Sequence, residues 1–411
     1  MSAAKQGAAL AAFIINPGDT SLRRLVEACA GADGLATRKL AQALGSCGEE
    51  TMPREWAARL QEAFCFALPP LPFDTCRGTL EDLARECADE APEAAAAAEA
   101  LLASEVDHEP AVGSVAQVYF HGRLALKVLR PGVEEEVELL RALARFAAPP
   151  LSAVGRSDAA ELVQQAARDL EAQTDLREEL ERLHEAEEFL RAAGCHCATA
   201  PRGVCATREV LVMTRVPSIH FHPDGSSTAI GGASEILPKA ALEELRWRTD
   251  AAAGLFFIAA VLSDEVLHVE LHPANYGCRI AECASTKTSV LVVYDLGACV
   301  SKRASSYSEF FIFFMEERWL EAMELCVTDP TGLRALLDAA CQKVTDGKTF
   351  ASALSRLARR QEFPKRMRPE ALRVASGFGH VARLFSSCGR SALGLRRRDG
   401  AARASRARVG G

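Results

Sequence analysis

Lysine is scarce in this chain: it supplies 9 of the 48 basic residues, against 39 arginines, and alanine occurs 74 times. Such a skew reads as a drift of the whole coding sequence, so alanine runs and arginine clusters carry little information by themselves. Long hydrophobic runs are missing as well. No stretch without a charge exceeds the 13 residues of Ala251 to Ser263, short of the roughly 18–20 that a helix needs to cross a bilayer; no membrane span is expected. A basic excess is also lacking. The net charge is −7, and only the tail from Arg396 to Arg408, with six arginines, is strongly basic; nucleic acid is therefore excluded as the main partner. The fourteen cysteines include no CxxC pair and follow no secretory signal, which argues against a disulfide framework and for a reducing or organellar compartment. The first 18 residues carry one lysine and no acid but few of the arginines and serines of an organellar presequence.

At 411 residues and 49% apolar content the chain fills two or three domains. From Ser21 to about Leu102 apolar residues recur at helical spacing, broken at Met52-Pro53 and in the stretch Leu68 to Pro72. From Pro110 the pattern changes to short strands on either side of His121-Gly122, a hairpin ended by Pro131-Gly132. Helices are expected over Glu134–Ala148 and over Asp158–Ala193, the latter capped by Asp158 and stopped by Gly194. Val210 to Val216 reads as a buried strand and Pro223 to Gly232 as a surface loop or domain boundary. A helical run to about Leu267 follows, then a loop, the strand Val290–Tyr294, and a helical remainder from Ser305 to Leu384. Ala252 to Leu262 reads as a buried central helix, and Phe310 to Met315 as core. Segregated strands and helices indicate an α+β architecture.

Four features follow one another in the order of a phosphoryl-transfer site of protein-kinase type. The turn Ala111, Val112, Gly113, Ser114 has small residues that let backbone amides approach phosphates; with one glycine it also reads as an ordinary turn. Lys127 sits inside the apolar strand Ala125 to Val128. Buried, it needs an anionic partner; on an alternating strand it would face solvent. Glu270 and Asn275 keep the five-residue separation of a catalytic-loop acid and a metal-binding asparagine, with His268 two places before the acid. Asp295-Leu296-Gly297 directly follows an apolar strand, an arrangement that presents a carboxylate to Mg2+.

At these residues the chain resembles the UbiB family of atypical kinase-like proteins, called ADCK proteins in animals. The stretch Val112 to Gly132 is similar to the family's AxSxAQVH and VAxKVQRPGV signatures, and HVELHPANYGC to its HADxHPGN. The segment Asp169 to Phe189 resembles ExDxxxEAxxxxRF, and RKLAQALGS stands where the family has KxGQ. The resemblance covers about residues 30–330. It implies a bilobal protein-kinase-like fold divided into a helical N-terminal extension (1–105), a small lobe with a long helix (106–220), a helical large lobe (221–390) and a basic tail (391–411). It further implies Mg-ATP binding and hydrolysis at a membrane surface in support of isoprenoid quinone biosynthesis or lipid handling. The implied setting is a mitochondrion, or alternatively a plastid, with the protein peripheral on the membrane and quinone-biosynthesis proteins as partners.

By the same resemblance, the turn Ala111–Ser114 covers the phosphates, and Lys127 and Glu179 form the ion pair that holds the nucleotide. Glu270 is the catalytic-loop acid, and Asn275 and Asp295 bind magnesium. Lys39 and Gln42 belong to an extension that occludes the cleft, together with Asp175. The chain departs from the family at Ala41, Gln173, Glu270 and Ala274. Glutamate at 270 in place of aspartate retains the charge but moves the carboxylate by about one bond length, a misplacement that can cost on the order of 100-fold in rate. A catalytically impaired pseudokinase acting as a nucleotide-dependent scaffold is therefore the alternative reading. Separately, Cys195, Cys197 and Cys205 with His220 and His222 offer the ligand types of a zinc site.

Overall fold

The computed structural model describes residues 3–29, 53, 55–56, 59, 70–104, 110–113, 115–154, 164, 166–168, 170–221, 227–230, 238–263, 267–268, 271, 275–283, 286–300, 307–345, 350, 353–354 and 357. The N-terminal part is helical: α1 (Ala3–Ile15), α2 (Asp19–Cys29), α3 (Arg77–Glu86) and α4 (Pro92–Ala103). Three strands follow, β1 (Ala111–Val112), β2 (Ala116–His121) and β3 (Leu124–Leu129), and then α5 (Val133–Ala153) and α6 (Leu176–Ala192). Next come β4 (Ala198–Thr199), β5 (Gly203–Ala206), β6 (Val210–Thr214), β7 (Ser218–Phe221) and β8 (Ser227–Ile230). After α7 (Lys239–Leu262) lie β9 (Leu267–His268), β10 (Tyr276–Cys283), β11 (Thr286–Val293) and β12 (Cys299–Val300). Three further α-helices follow, α8 (Tyr307–Met315), α9 (Trp319–Glu324) and α10 (Arg334–Cys341). The chain divides into two compact units, one of residues 1–181, 203–214 and 306–372, the other of 182–202, 215–305 and 373–411.

The first unit is built on a five-stranded sheet of order β1-β2-β3-β6-β5. Gly122, at φ 54°, turns β2 into β3 where a residue with Cβ would be strained. Side chains alternate across β3. Leu124, Leu126 and Val128 point to one face and, with Tyr119, Val210 and Val212, bury Leu80, Leu83, Ala94, Ala98 and Leu101 of α3 and α4. Lys127 therefore points to the opposite face. Gln117, fully buried, joins the Pro-rich segment to the sheet: its Oε1 accepts the Leu71 amide (2.6 Å) and its Nε2 donates to the Tyr119 hydroxyl (3.0 Å). Burial raises the pKa of that tyrosine. A second core joins α1 to α5 through Leu10, Phe13 and Ile14 against Leu140, Leu143 and Ala147. Residues 3–15 are thus part of the fold.

Several elements differ from the sequence reading. Helix α5 continues past Ala148 through Pro149 and Pro150, because Ala147 and Leu151 stay buried and hold the register. The long helix expected from Asp158 is interrupted at Gln173–Thr174, and α6 starts afresh at Leu176; Asp158 lies outside the described residues. Part of the expected loop Pro223–Gly232 forms β8, antiparallel to β7. The expected run Phe310–Met315 is two-sided. Phe310 is buried and Phe314 packs edge-on against Trp319 and Phe350 (5.4 and 5.5 Å), whereas Met315 is 63% exposed.

In the second unit the sheet order is β4-β11-β10-β7-β8, beside the small pair β12-β9. The segment expected as a loop before Val290 contains β10, paired with β11 from Tyr276↔Val293 to Cys283↔Thr286. Gly277 belongs in that strand because a Cβ there would come within 3.0 Å of the His220 ring and the Ile219 carbonyl. Helix α7 buries Ala253, Phe256, Phe257, Ala260 and Val261, but Leu255 and Leu262 are 62% and 51% exposed, so it is not buried throughout. Among the described residues no helix is long and apolar enough to cross a membrane.

Candidate functional site

The first unit supplies an ion pair. Lys127 lies between Val118 of β2 and Leu211 of β6, and its Nζ donates to both carboxylate oxygens of Glu179 at 2.7 and 2.9 Å. The two side chains are 13% and 4% exposed. Two charges removed from water in this way persist only when each satisfies the other. The helix that carries Glu179 is anchored at its start. Asp175 is its N-cap: the carboxylate accepts the Arg177 backbone N–H at 3.1 Å and the Arg177 guanidinium at 2.6 and 2.9 Å, while the Leu176 amide donates to the Arg208 carbonyl. The Arg177 guanidinium holds the Asp175 carboxyl below its usual range. Gln173 is buried beside the break. At the turn, β1 brings Ala111 and Val112 alongside Gln117 and Val118, and the Gly113 amide donates to the Ala116 carbonyl at 2.9 Å. A Cβ on Gly113 would meet that same carbonyl at 3.1 Å. Ser114, Lys39, Ala41 and Gln42 lie outside the described residues.

Within the second unit, Asn275 and Asp295 flank the open end of the β10–β11 hairpin, just before β10 and just after β11. The ladder extends one step beyond the strands, with the Tyr294 amide donating to the Asn275 carbonyl at 2.8 Å. Asn275 is buried, and Asp295 is half-buried in the left-handed region at φ 55°, ψ 58°. Aspartate is among the few non-glycine residues that tolerate this conformation. The backbone around Asp295 is held on both sides. The buried His268 ring Nε2 lies 3.0 Å from the Tyr294 carbonyl, and Arg182 Nη1 donates to the Gly297 carbonyl at 2.7 Å. Pairing of β9 with β12, His268 opposite Cys299, closes the same segment.

Tyr294 is fixed in turn by hydrogen bonds between its hydroxyl and the Val216 carbonyl and Ser218 hydroxyl (2.8 Å each) and by stacking on His220 at 5.2 Å; burial pushes its pKa up to about 12. The neighbouring Tyr276 donates to the buried Asp250 carboxylate at 2.7 Å, whose pKa burial raises. Glu270 and Ala274 lie outside the described residues. Arg182 escaped the sequence reading, since in a helix rich in Arg and Glu nothing marks one arginine; its spacing of three from Glu179 on one helix face is the only signal.

The described members of the cysteine and histidine set do not assemble as a zinc site. Cys205 Sγ lies 3.4 Å from Cys87 Sγ, His220 stacks on Tyr294, and His222 lies outside the described residues. No group of three or more His, Cys, Asp or Glu side chains suited to a metal ion occurs among the described residues.

A five-stranded antiparallel sheet whose third strand pairs a buried lysine with a helix glutamate, followed in sequence by an Asn-bearing loop and an Asp-Leu-Gly, defines a kinase-like protein. Residues 93–325 match the ABC1 atypical kinase-like domain, and the chain belongs to that family. The fold is accordingly kinase-like and α+β, preceded by a helical N-terminal region. The chain is also similar to the complex of Rv3197 with erythromycin from Mycobacterium tuberculosis, with 16% identity over 84% of this chain and 87% of that one and a TM-score of 0.40. A second similar structure is the Rio2 kinase-ADP/Mg2+-phosphoaspartate complex from Chaetomium thermophilum, with 14% identity over 90% and 99% of the two chains and a TM-score of 0.30. A search of curated proteins finds no match.

Proposed function

We propose that this chain is an Mg-ATP-binding atypical kinase or ATPase of the UbiB type. The observation that carries the reading is the buried Lys127–Glu179 pair at 2.7 Å. A lysine is retained inside an apolar sheet at a desolvation cost of several kcal/mol per ion, which a role in steering nucleotide phosphates explains and packing does not. Asn275 and Asp295 offer a carboxamide and a carboxylate oxygen, the donor types that Mg2+ accepts. These two residues would hold the metal, which when bound neutralises charge on the phosphates. Lys127 would orient those phosphates, the Gly113 turn would cover them, and Glu270 would stand near the attacking hydroxyl or water. The γ-phosphoryl would pass to water or to a small lipid-like acceptor. The motif resemblance supports a role in isoprenoid quinone biosynthesis or lipid handling, peripheral on a mitochondrial or plastid membrane.

The test is phosphate release from Mg-ATP by the purified chain, with and without anionic liposomes. Release above that of Asp295→Asn is expected; equal rates in the two proteins reject the enzymatic reading. Glu270, one methylene longer than the family's aspartate, favours a second reading in which the chain is a nucleotide-binding scaffold. That reading expects a thermal shift with Mg-ATP, no turnover, and no gain in Glu270→Asp.

A further inference from the structure

The end of α6 leads into a short loop that the proposed nucleotide chemistry does not use. Gly194, at φ 57°, stops the helix, and the Cys195 amide donates back to the Leu190 carbonyl at 3.0 Å, a C-cap that fixes where Cys195 begins. Two residues on, the Cys197 carbonyl accepts the Leu291 amide of β11 at 2.9 Å, and β4 then pairs with β11 in parallel. The loop is thus tethered at both ends. Between the tethers the two sulfurs lie 3.5 Å apart, with Cys197 exposed and Cys195 partly so.

We infer that Cys195 and Cys197 form a reversible oxidation site, a dithiol that a hydroperoxide oxidant such as hydrogen peroxide closes to a disulfide within the loop. One sulfur, as thiolate, attacks a peroxide oxygen; the O–O bond breaks, hydroxide leaves, and a sulfenic acid forms. The second sulfur then displaces the sulfenic oxygen. The two thiol protons leave in two molecules of water, so the pair loses two electrons and the peroxide gains them. The sulfurs need to approach only from 3.5 Å to a bond of about 2.05 Å. Exposure decides between this pair and the other close one. Cys87 is buried against Cys205, whose thiol burial pushes up to about 12, so that pair is short of both access and thiolate. At the loop, burial and the Cys195 hydrogen bond also raise the Cys197 thiol, but the residue as a whole is exposed.

Trypsin is expected to release the loop as Ala192–Arg202, which contains no other cysteine. The purified 411-residue chain is treated with hydrogen peroxide, blocked with iodoacetamide and digested. The expected peptide has lost two hydrogens and both alkylation sites, and dithiothreitol restores them. In Cys195→Ser the remaining Cys197 is expected to lose this protection and advance to sulfinic or sulfonic acid under the same peroxide dose. Three outcomes overturn the proposal: both cysteines still alkylated in the wild type, added oxygens in place of the disulfide, or a cross-link from this peptide to another cysteine. A Cys87–Cys205 link forming at lower peroxide than the loop disulfide overturns the selectivity argued from burial.

Discussion

Lys127 and Glu179 stabilise the fold only as a pair. Truncating either alone leaves a buried charge without its counterion, at a cost of about 3–5 kcal/mol, whereas replacing both by apolar residues of similar size is close to neutral. Urea unfolding should therefore rank Lys127→Ala well below wild type, with Lys127→Met/Glu179→Leu near wild type in stability yet without a thermal shift on adding Mg-ATP. Asp295 allows a cleaner separation of backbone from charge. Glycine is relieved at φ 55°, so Asp295→Gly is expected to melt higher than Asp295→Ala while losing the Mg-ATP shift. Asp295→Ala loses the shift and about 1–2 kcal/mol as well. Melting curves with and without Mg-ATP read both effects.

Asp175 carries a pH dependence whose sign is set by its depressed pKa. The cap contributes fully above the unfolded carboxyl value near 3.9 and is lost as pH falls through the lower folded value. Asp175→Ala should cost about 1 kcal/mol at neutral pH, and the gap to wild type should narrow as the acid limb is entered. Asp175→Asn, which still accepts the Arg177 amide, should cost less.

At the scale of elements, what was legible in the sequence followed from alternation and punctuation. The β2–β3 hairpin shows both, with apolar residues at every second place and Gly122 between. Asp-Leu-Gly after an apolar strand marked the end of β11 for the same reason. Strand β10 was not legible, because Gly277 and Arg279 break the apolar pattern; the reason for the glycine is the His220 ring 3.0 Å from where its Cβ would be, a contact between residues 57 apart in the chain. Helix α5 hid its length behind Pro149-Pro150, since tertiary burial of Leu151 outweighs a local breaker. Arg182 and Asp250 were invisible because their partners, a backbone carbonyl and a tyrosine, leave no pattern of charge. Gln117 was visible only as a letter in a motif. Its two hydrogen bonds suggest a measurable role: Gln117→Ala strands the Leu71 amide and should lower stability by about 1–3 kcal/mol, detected as a lower urea midpoint at unchanged slope.

For the whole molecule, binding energy becomes folding energy. A ligand present at 100 times its dissociation constant adds about 2.7 kcal/mol to the state that binds it. A calorimetric scan in Mg-ATP should therefore raise the melting transition of the wild type and leave that of Asp295→Asn where it was. The same scan in ATP with a chelator tests whether the metal is part of the linkage; a full shift without divalent ions would remove Asn275 and Asp295 from the nucleotide site. The net charge of −7 with an arginine-rich tail makes any liposome effect on turnover salt-sensitive, because Coulomb attraction to anionic lipid is screened beyond about 8 Å at 0.15 M salt.

The β10–β11 hairpin has a practical side. Its open end is set by the strand ladder, from Tyr276↔Val293 outward to the Tyr294–Asn275 bond, and not by the length of the connection beyond Cys283↔Thr286. The spacing of Asn275 and Asp295 is thus insulated from the far end of the ribbon, some eight residues away. A short epitope or fluorophore-labelling sequence grafted there would report on the second unit from a handle that leaves the two oxygen donors in register.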